Sequence, residues 1–380
     1  MKKAAKWFLI VFGILFGLFV IAAILIPVFF KDDIRAAIEK EASKSVNADV
    51  VFEDFDLSFF TNFPNVTASL ENLGVINRAP FEGQVLFATE KFEVEINLAD
   101  LLGDEIRVKG ISLIRPVVNI RVLKDGRANW DIAIPSADTT TTTTEEPSEF
   151  QFGIDHWELV DADVSYDDKS LPYLLTIKGL NHNGSGDFSQ DVFDLKTKTT
   201  ADTVTTSFDG VEYLTNKKVD IDATVSISEE YSKYTFKENT LKVNDFAVHV
   251  DGWFKMNEND FGMDMTFNSP ETSFKSLLSL VPGIYSKDFN SIKTEGELSF
   301  NGLVKGTYSE KQMPAFNLNL LVKNAMFQYP DLPTAIRNIN MDLLVDNKDG
   351  VVENTIVDLK NLHLDFGSNP IDAKAKITKM

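Results

Sequence analysis

Histidines and carboxylates are the side chains of this sequence most able to do chemistry, and their spacing limits what they can do. Four histidines occur, His156, His182, His249 and His363, and no two are close in sequence. Three have a carboxylate two residues later: Glu158, Asp251 and Asp365. On a strand, positions i and i+2 share a face, so each pair could offer two donors to a metal. Two donors fall short of the three or four protein ligands of a metal site. Asp161, Asp163, Asp167 and Asp168 crowd the segment DADVSYDD. They read as a weak cation site or, more simply, as the wet face of a strand near a turn. DNKDG at 346–350 lacks the alternating acids and the distal glutamate of a calcium loop, so it reads as a hairpin turn. HNGSGD at 182–187 is glycine-rich, but no helix pattern follows, so it too reads as a turn. No nucleophile elbow, zinc-protease helix, phosphate loop or dinucleotide fingerprint occurs. The chain has no cysteine, which excludes disulfides, thiolate catalysis and cysteine metal sites. These residues predict a protein that is not an enzyme, with no metal and no cofactor.

The surrounding elements carry more information. The first six residues hold Lys2, Lys3 and Lys6, and residues 7–30 then run without a charge. As a helix that run is about 35 Å long, enough to cross a bilayer. The flanking lysines predict a cytoplasmic N-terminus, with the bulk of the chain across the membrane. A cleaved signal peptide is the competing reading, but the apolar run is longer than a signal core. Residues 31–48 are expected to form a juxtamembrane helix, with Ile34, Ile38 and Ala42 at four-residue spacing.

From about residue 49 the period becomes two. Phe55, Leu57 and Phe59 alternate, as do Phe92, Val94, Ile96 and Leu98, then Val118, Ile120 and Val122. Later runs include Phe246, Val248 and Val250, then Phe261, Met263, Met265 and Phe267. This pattern means strands with one wet and one apolar face, and it predicts on the order of fifteen to eighteen of them. Helical spacing is rare. The clearest case is SPETSFKSLLSLVPGIY, with Phe274, Leu277, Leu278 and Val281 on one side. Six consecutive threonines mark 136–149 as an exposed linker. It is expected to separate a first β module, 49–135, from a second, 150–380. The net charge of −20 disfavours nucleic acid as a partner.

One segment is specific enough to suggest a family. Residues 96–132 read INLADLLGDEIRVKGISLIRPVVNIRVLKDGRANWDI. They combine a Leu-Leu-Gly turn, an Ile-rich strand, Arg-Pro at Pro116, an alternating strand, Asp125-Gly126, and Asn129-Trp130. With the basic tip, the apolar span and VVFEDFDLSFFTNFPNVTASLENLGVIN at 50–77, the chain resembles the N-terminal portion of AsmA-like proteins of Gram-negative bacteria. The resemblance implies an inner-membrane anchor, a single transmembrane helix, carrying a periplasmic, elongated, twisted antiparallel β-sheet folded into a trough, with a few short helices. It further implies lipid acyl chains as ligand, a contribution to phospholipid transport and outer-membrane biogenesis, and the inner membrane and envelope proteins as partners.

On that reading Phe92, Val94, Ile96, Val118, Ile120, Val122, Phe246, Val248, Phe261, Met263 and Met265 are candidates for the lipid-facing wall. Pro116, Asp125, Gly126, Asn129 and Trp130 are the family signature. Trp130 is expected to be a packing plug or part of a lipid access site. Alternation alone leaves open whether the apolar face closes on another sheet, as in an assembly scaffold for outer-membrane proteins, or stays open to lipid. About fifteen strands in one sheet would reach roughly 70 Å, and the pattern still alternates at residue 380, so a fragment or shortened family member is expected.

Overall fold

The computed structural model describes residues 35–38, 40–41, 44–59, 61–97, 108–134, 154–188, 190–270, 273–280, 291–309, 312–329 and 334–378. The expected membrane span at 7–30 and the threonine-rich stretch at 136–149 lie outside them. No helix among the described residues is long and apolar enough to cross a membrane. The described part of 35–45 is helical.

The protein is mostly β, with a mixed sheet of 18 strands. The chain divides into two compact units, Met1–Asn181 with Phe208–Gly210, and His182–Ser207 with Val211–Met380. The first unit holds β1 (Ala48–Val51), β2 (Asp54–Ser58), β3 (Asn65–Asn77), β4 (Val85–Asn97), β5 (Val108–Ile114), β6 (Val117–Val122) and β7 (His156–Asp168). β8 (Tyr173–Ser185) carries the division, between Asn181 and His182. The second unit holds most of β9 (Phe193–Phe208) and β10 (Val211–Ser228), then β11 (Lys233–Val243), β12 (Phe246–Met256) and β13 (Phe261–Asn268). A short helix, α1 (Phe274–Leu278), precedes β14 (Lys293–Tyr308), β15 (Ala315–Gln328), β16 (Ile336–Asn347), β17 (Ile356–Phe366) and β18 (Asn369–Thr378).

The sheet is not wholly antiparallel, as the resemblance implied. β5 and β6 both run parallel to β7. Parallel neighbours need a long crossover connection, and residues 123–155 supply it. β7, which follows the threonine-rich stretch, therefore pairs with the two strands that precede it.

Several strands are longer than their runs of alternation. In β3 the apolar positions are Val66, Ala68 and Leu70, then Leu73 and Val75. In β7 they are Trp157 and Leu159, then Ala162 and Val164. In β15 they are Phe316, Leu318, Leu320 and Val322, then Ala325 and Phe327. At each one-residue slip stands a residue of positive φ: Asn72 at 53°, Asp161 at 54° and Asn324 at 49°. Asn and Asp tolerate this left-handed conformation better than other side chains with a Cβ. Each absorbs the extra residue as a bulge does, so apolar side chains meet apolar partners on both sides of it. Two of these residues have their backbone N–H caught by an asparagine of the next strand. Asp161 N–H donates to Asn181 Oδ1 at 3.0 Å, and Asn324 N–H to Asn340 Oδ1 at 3.0 Å. The polar cost of interrupting the ladder is thereby removed.

Candidate functional site

The first unit has one apolar face, built from rows of paired residues. One row runs Phe55, Leu70, Phe92, Leu113, Leu159 across β2, β3, β4, β5 and β7. The next runs Leu57, Ala68, Val94, Ile111, Trp157 in the same order. A third joins Val66, Ile96 and Val108. Phe92, Val94 and Ile96 therefore share one face, as their spacing required. The opposite face is polar, with Asp56, Ser69, Glu93, Ser112 and Glu158 in register.

Val118 and Ile120 continue on β6, opposite Val164 and Tyr166. Val122 differs: it is buried, and its partner is the carboxylate Asp168. Tyr166 stacks on Trp130 at 6.3 Å and leans on Tyr173 at 5.9 Å. Burial raises the pKa of the Tyr166 phenol, which donates to Asp168 Oδ2. Trp130 is 48% exposed, so it is not a buried plug; the buried member of the Asn-Trp pair is Asn129, at 1%. Asn129 Oδ1 accepts the Arg121 N–H at 2.8 Å, and its Nδ2 donates to the Asn119 carbonyl at 2.7 Å. Asn77 Nδ2 donates to the Asn129 carbonyl at 2.7 Å. This buried amide pair ties the end of β3 to β6 and to the segment after the turn. Gly126, at φ 84°, makes that turn, and the Asp125 carboxylate accepts from Arg127, which holds its pKa below the usual range. Pro116 is fully buried between β5 and β6, next to Arg115 at φ 47°.

The second unit has the longer apolar face. Val250, Phe267, Gly302, Leu318, Val345, Val357 and Ile377 form a continuous row over β12 to β18. Beside it lies Phe300, Leu320, Leu343, Leu359, Ala375. On the other side are Gly252, Met265, Val304, Phe316 and then Phe254, Met263, Gly306. Three large residues of β13 face a glycine: Met263 faces Gly306, Met265 faces Gly252 and Phe267 faces Gly302. A Cβ on Gly302 would sit 2.4 Å from the Phe267 ring, so the glycine makes room for that ring. The reverse of the sheet is mostly polar, with Asp251, Thr266, Asn317 and Asp346 in one register that the exposed Leu303 interrupts.

This face is covered at one end and open at the other. α1 places Phe274 and Leu278 on Phe246, Leu298, Val322, Ala325 and Ile339, which are all buried. Val248 and Phe300 pack against the same cluster. Phe246 and Val248 are therefore not open wall: a helix 25 or more residues downstream in sequence covers them. At the far end Phe261 is 38% exposed and Tyr308 46%, while Met263 and Met265 are half-buried. Phe261 stacks with Phe254 at 5.5 Å and with Tyr308 at 6.3 Å.

The histidines and the acidic cluster do structural work. His156 lies over Gly110, whose missing Cβ leaves room for the imidazole, and faces Glu95 at 3.6 Å. His182 bonds Thr199 at 2.7 Å, and burial lowers its pKa. His363 bonds Asp372 at 2.8 Å, which raises its pKa. His249 sits opposite Asn268 in the ladder. Asp168 accepts four hydrogen bonds, from Tyr166, the Ser170 N–H and hydroxyl, and the Leu171 N–H. Asp163 accepts the Gly179 N–H, and Asp167 pairs with Lys169. Among the described residues no group of three His, Asp or Glu side chains is placed to hold a metal.

Sequence reasoning missed the covering of Phe246 and the role of Asn129. The first had a signal in the helical spacing of Phe274, Leu277 and Leu278, which demanded an apolar surface to lie on. The second had none, because Asn77 and Asn129 are 52 residues apart. No curated protein and no solved structure matches the chain. The model of the AsmA family matches residues 1–185, a stretch that contains the Pro116-to-Trp130 signature and the first apolar face, and this part of the chain is accordingly similar to the AsmA family.

Proposed function

We propose that this protein is anchored in the inner membrane by residues 7–30 and shields lipid acyl chains on the apolar faces of its periplasmic strands. It contributes in this way to phospholipid transport and outer-membrane biogenesis, without catalysing a reaction. The observation that carries the reading is the seven-strand row from Val250 to Ile377, apolar throughout, none of whose members belongs to the cluster that α1 covers. Exposed apolar faces of this extent mark binding surfaces. Each methylene removed from water contributes about 0.8 kcal/mol, so an acyl chain laid across several strands is held by length. Polar headgroups need no pocket on this reading. The AsmA-family match over residues 1–185 supports the envelope location.

The test is photo-crosslinking in intact membranes, with a compact diazirine amino acid at Met263 on the apolar face or at Asp264 on the polar one. Lipid adducts are expected at Met263 and not at Asp264. Protein adducts at Met263 in place of lipid would favour the second reading, a scaffold for envelope proteins. The specific observation behind that alternative is the closed core under α1.

A further inference from the structure

We infer that α1 is an end-stop for the acyl chain: its apolar side occupies the sheet face where a lipid tail would otherwise continue. The inference rests on the lipid reading and adds where the ligand must end. α1 has five residues, too few to be stable as an isolated helix, so its position is set by what holds it. Phe274 and Leu278 are buried in one cluster with Phe246, Leu298 and Val322, which stand at i±2 spacing from Val248, Phe300 and Leu320 and so on the same apolar face as the open wall. Val322 lies two residues from Leu320 and four from Leu318 along one strand face, so a tail following β15 would meet Phe274 and Leu278 after about 7–14 Å.

Polar bonds fix both ends of the stop. At the N-terminal end Ser273 bridges to Glu297 of β14, and its hydroxyl accepts the Lys275 N–H at 3.2 Å. At the C-terminal end the Ser279 carbonyl accepts two donors. Lys217 Nζ of β10 reaches it at 3.1 Å and Asn244 Nδ2 at 2.8 Å. Lys217 is 2% exposed, and a cation is favoured at the carbonyl end of a helix. Asn244 Oδ1 in turn accepts the Lys218 N–H at 2.8 Å, and the Asp245 N–H donates to Ser279 Oγ at 3.2 Å. A segment this firmly pinned is built to hold its place under the pressure of a ligand.

The experiment places the diazirine at Val248, beneath the stop, or at Met263, beyond it, in the full-length protein in membranes. With α1 intact, lipid adducts are expected at Met263 and absent at Val248. The double substitution Phe274→Ser and Leu278→Ser makes the underside of α1 polar, and adducts at Val248 are then expected to appear. Lys217→Met keeps the buried stem and removes the bond to Ser279; it is expected to give a weaker gain at Val248 in a protein that retains its core. Equal adducts at Val248 and Met263 with α1 intact would overturn the stop and leave the lipid reading standing. Adducts confined to Met263 in all variants would also overturn it. An absence of lipid at Met263 in the folded protein would remove the lipid reading, and the stop with it.

Discussion

The covered and open stretches of the second unit's apolar face share β12 and β14 and differ in what lies above them; the open one adds β13, which carries no residue of the covered cluster. Under α1, Leu298 is 3% exposed and Val322 2%; at the other end of β14, Tyr308 is 46% exposed, and Phe261 of the neighbouring β13 is 38% exposed. The residue types differ accordingly. The covered stretch has Leu298, Val322, Ala325 and Ile339 around Phe246, closely packed side chains that fill a fixed space. The open one uses Met263, Met265, Phe267 and facing glycines. Methionine adapts its shape to irregular contacts, and the glycines opposite Met263, Met265 and Phe267 make room for those side chains. Apolar alternation thus serves a core and a binding surface alike, and the covering element decides which.

The largest effect that would sharpen this contrast is Leu298→Ala. It should cost about 2–5 kcal/mol through cavity formation, whereas Met265→Ala on the open stretch should cost roughly 1 kcal/mol. Chemical-denaturant unfolding of the purified protein in detergent reads both. Equal costs would show that the two stretches are packed alike.

Next is Asn244→Ala, which leaves the part-buried Lys218 N–H without its Asn244 acceptor and removes one donor from Ser279. The expected cost is about 1–3 kcal/mol, with hydrogen exchange accelerated at 276–280 and unchanged at Met263. Uniform acceleration across both stretches would contradict a local clasp. Gly302→Ala should cost about 1 kcal/mol or more by overpacking, because the new Cβ meets the Phe267 ring. The additional truncation Phe267→Ala should restore part of that loss in a thermal melt. No recovery would mean that the backbone contact with Asn317, not the ring, sets the constraint.

The smallest effect is a pH dependence on the polar face of β17–β18. His363 bonds Asp372 of β18 first and faces Asp365 second, and both carboxylates raise its pKa. A raised histidine pKa stabilises the fold below the ordinary value of about 6.5, and that contribution is lost as pH rises through the folded-state value. Amide protection in β17–β18 should therefore fall modestly between about pH 6 and pH 8. His363→Gln should flatten the profile, and amides under α1 should show none of it. A dependence unchanged in His363→Gln would place its origin elsewhere.

Much of the architecture was legible before folding. Strict alternation assigned Phe92, Val94 and Ile96 to one face and Met263 and Met265 to another without knowledge of their partners. The slips of the alternation at Asn72, Asp161 and Asn324 were also present as letters, a left-handed-tolerant residue between two runs out of phase. The parallel pairing of β7 with β5 and β6 was not legible, because alternation is blind to strand direction. Trp130 drew attention by size, yet Asn129 beside it is the buried residue, since a buried amide matters through partners that local sequence does not name.

What the sequence determined by itself is the set of two-sided strands, the short amphipathic helix at Phe274–Leu278 among them, and the points where the chain can bend. These follow from φ/ψ preferences and from a side-chain period of two, which act within a few residues. Only the tertiary structure decided which stretch of apolar face that helix covers. That choice depends on Phe274 meeting Phe246 and on Lys217 reaching Ser279, 62 residues away, and such contacts exist only once the register of the intervening strands is set.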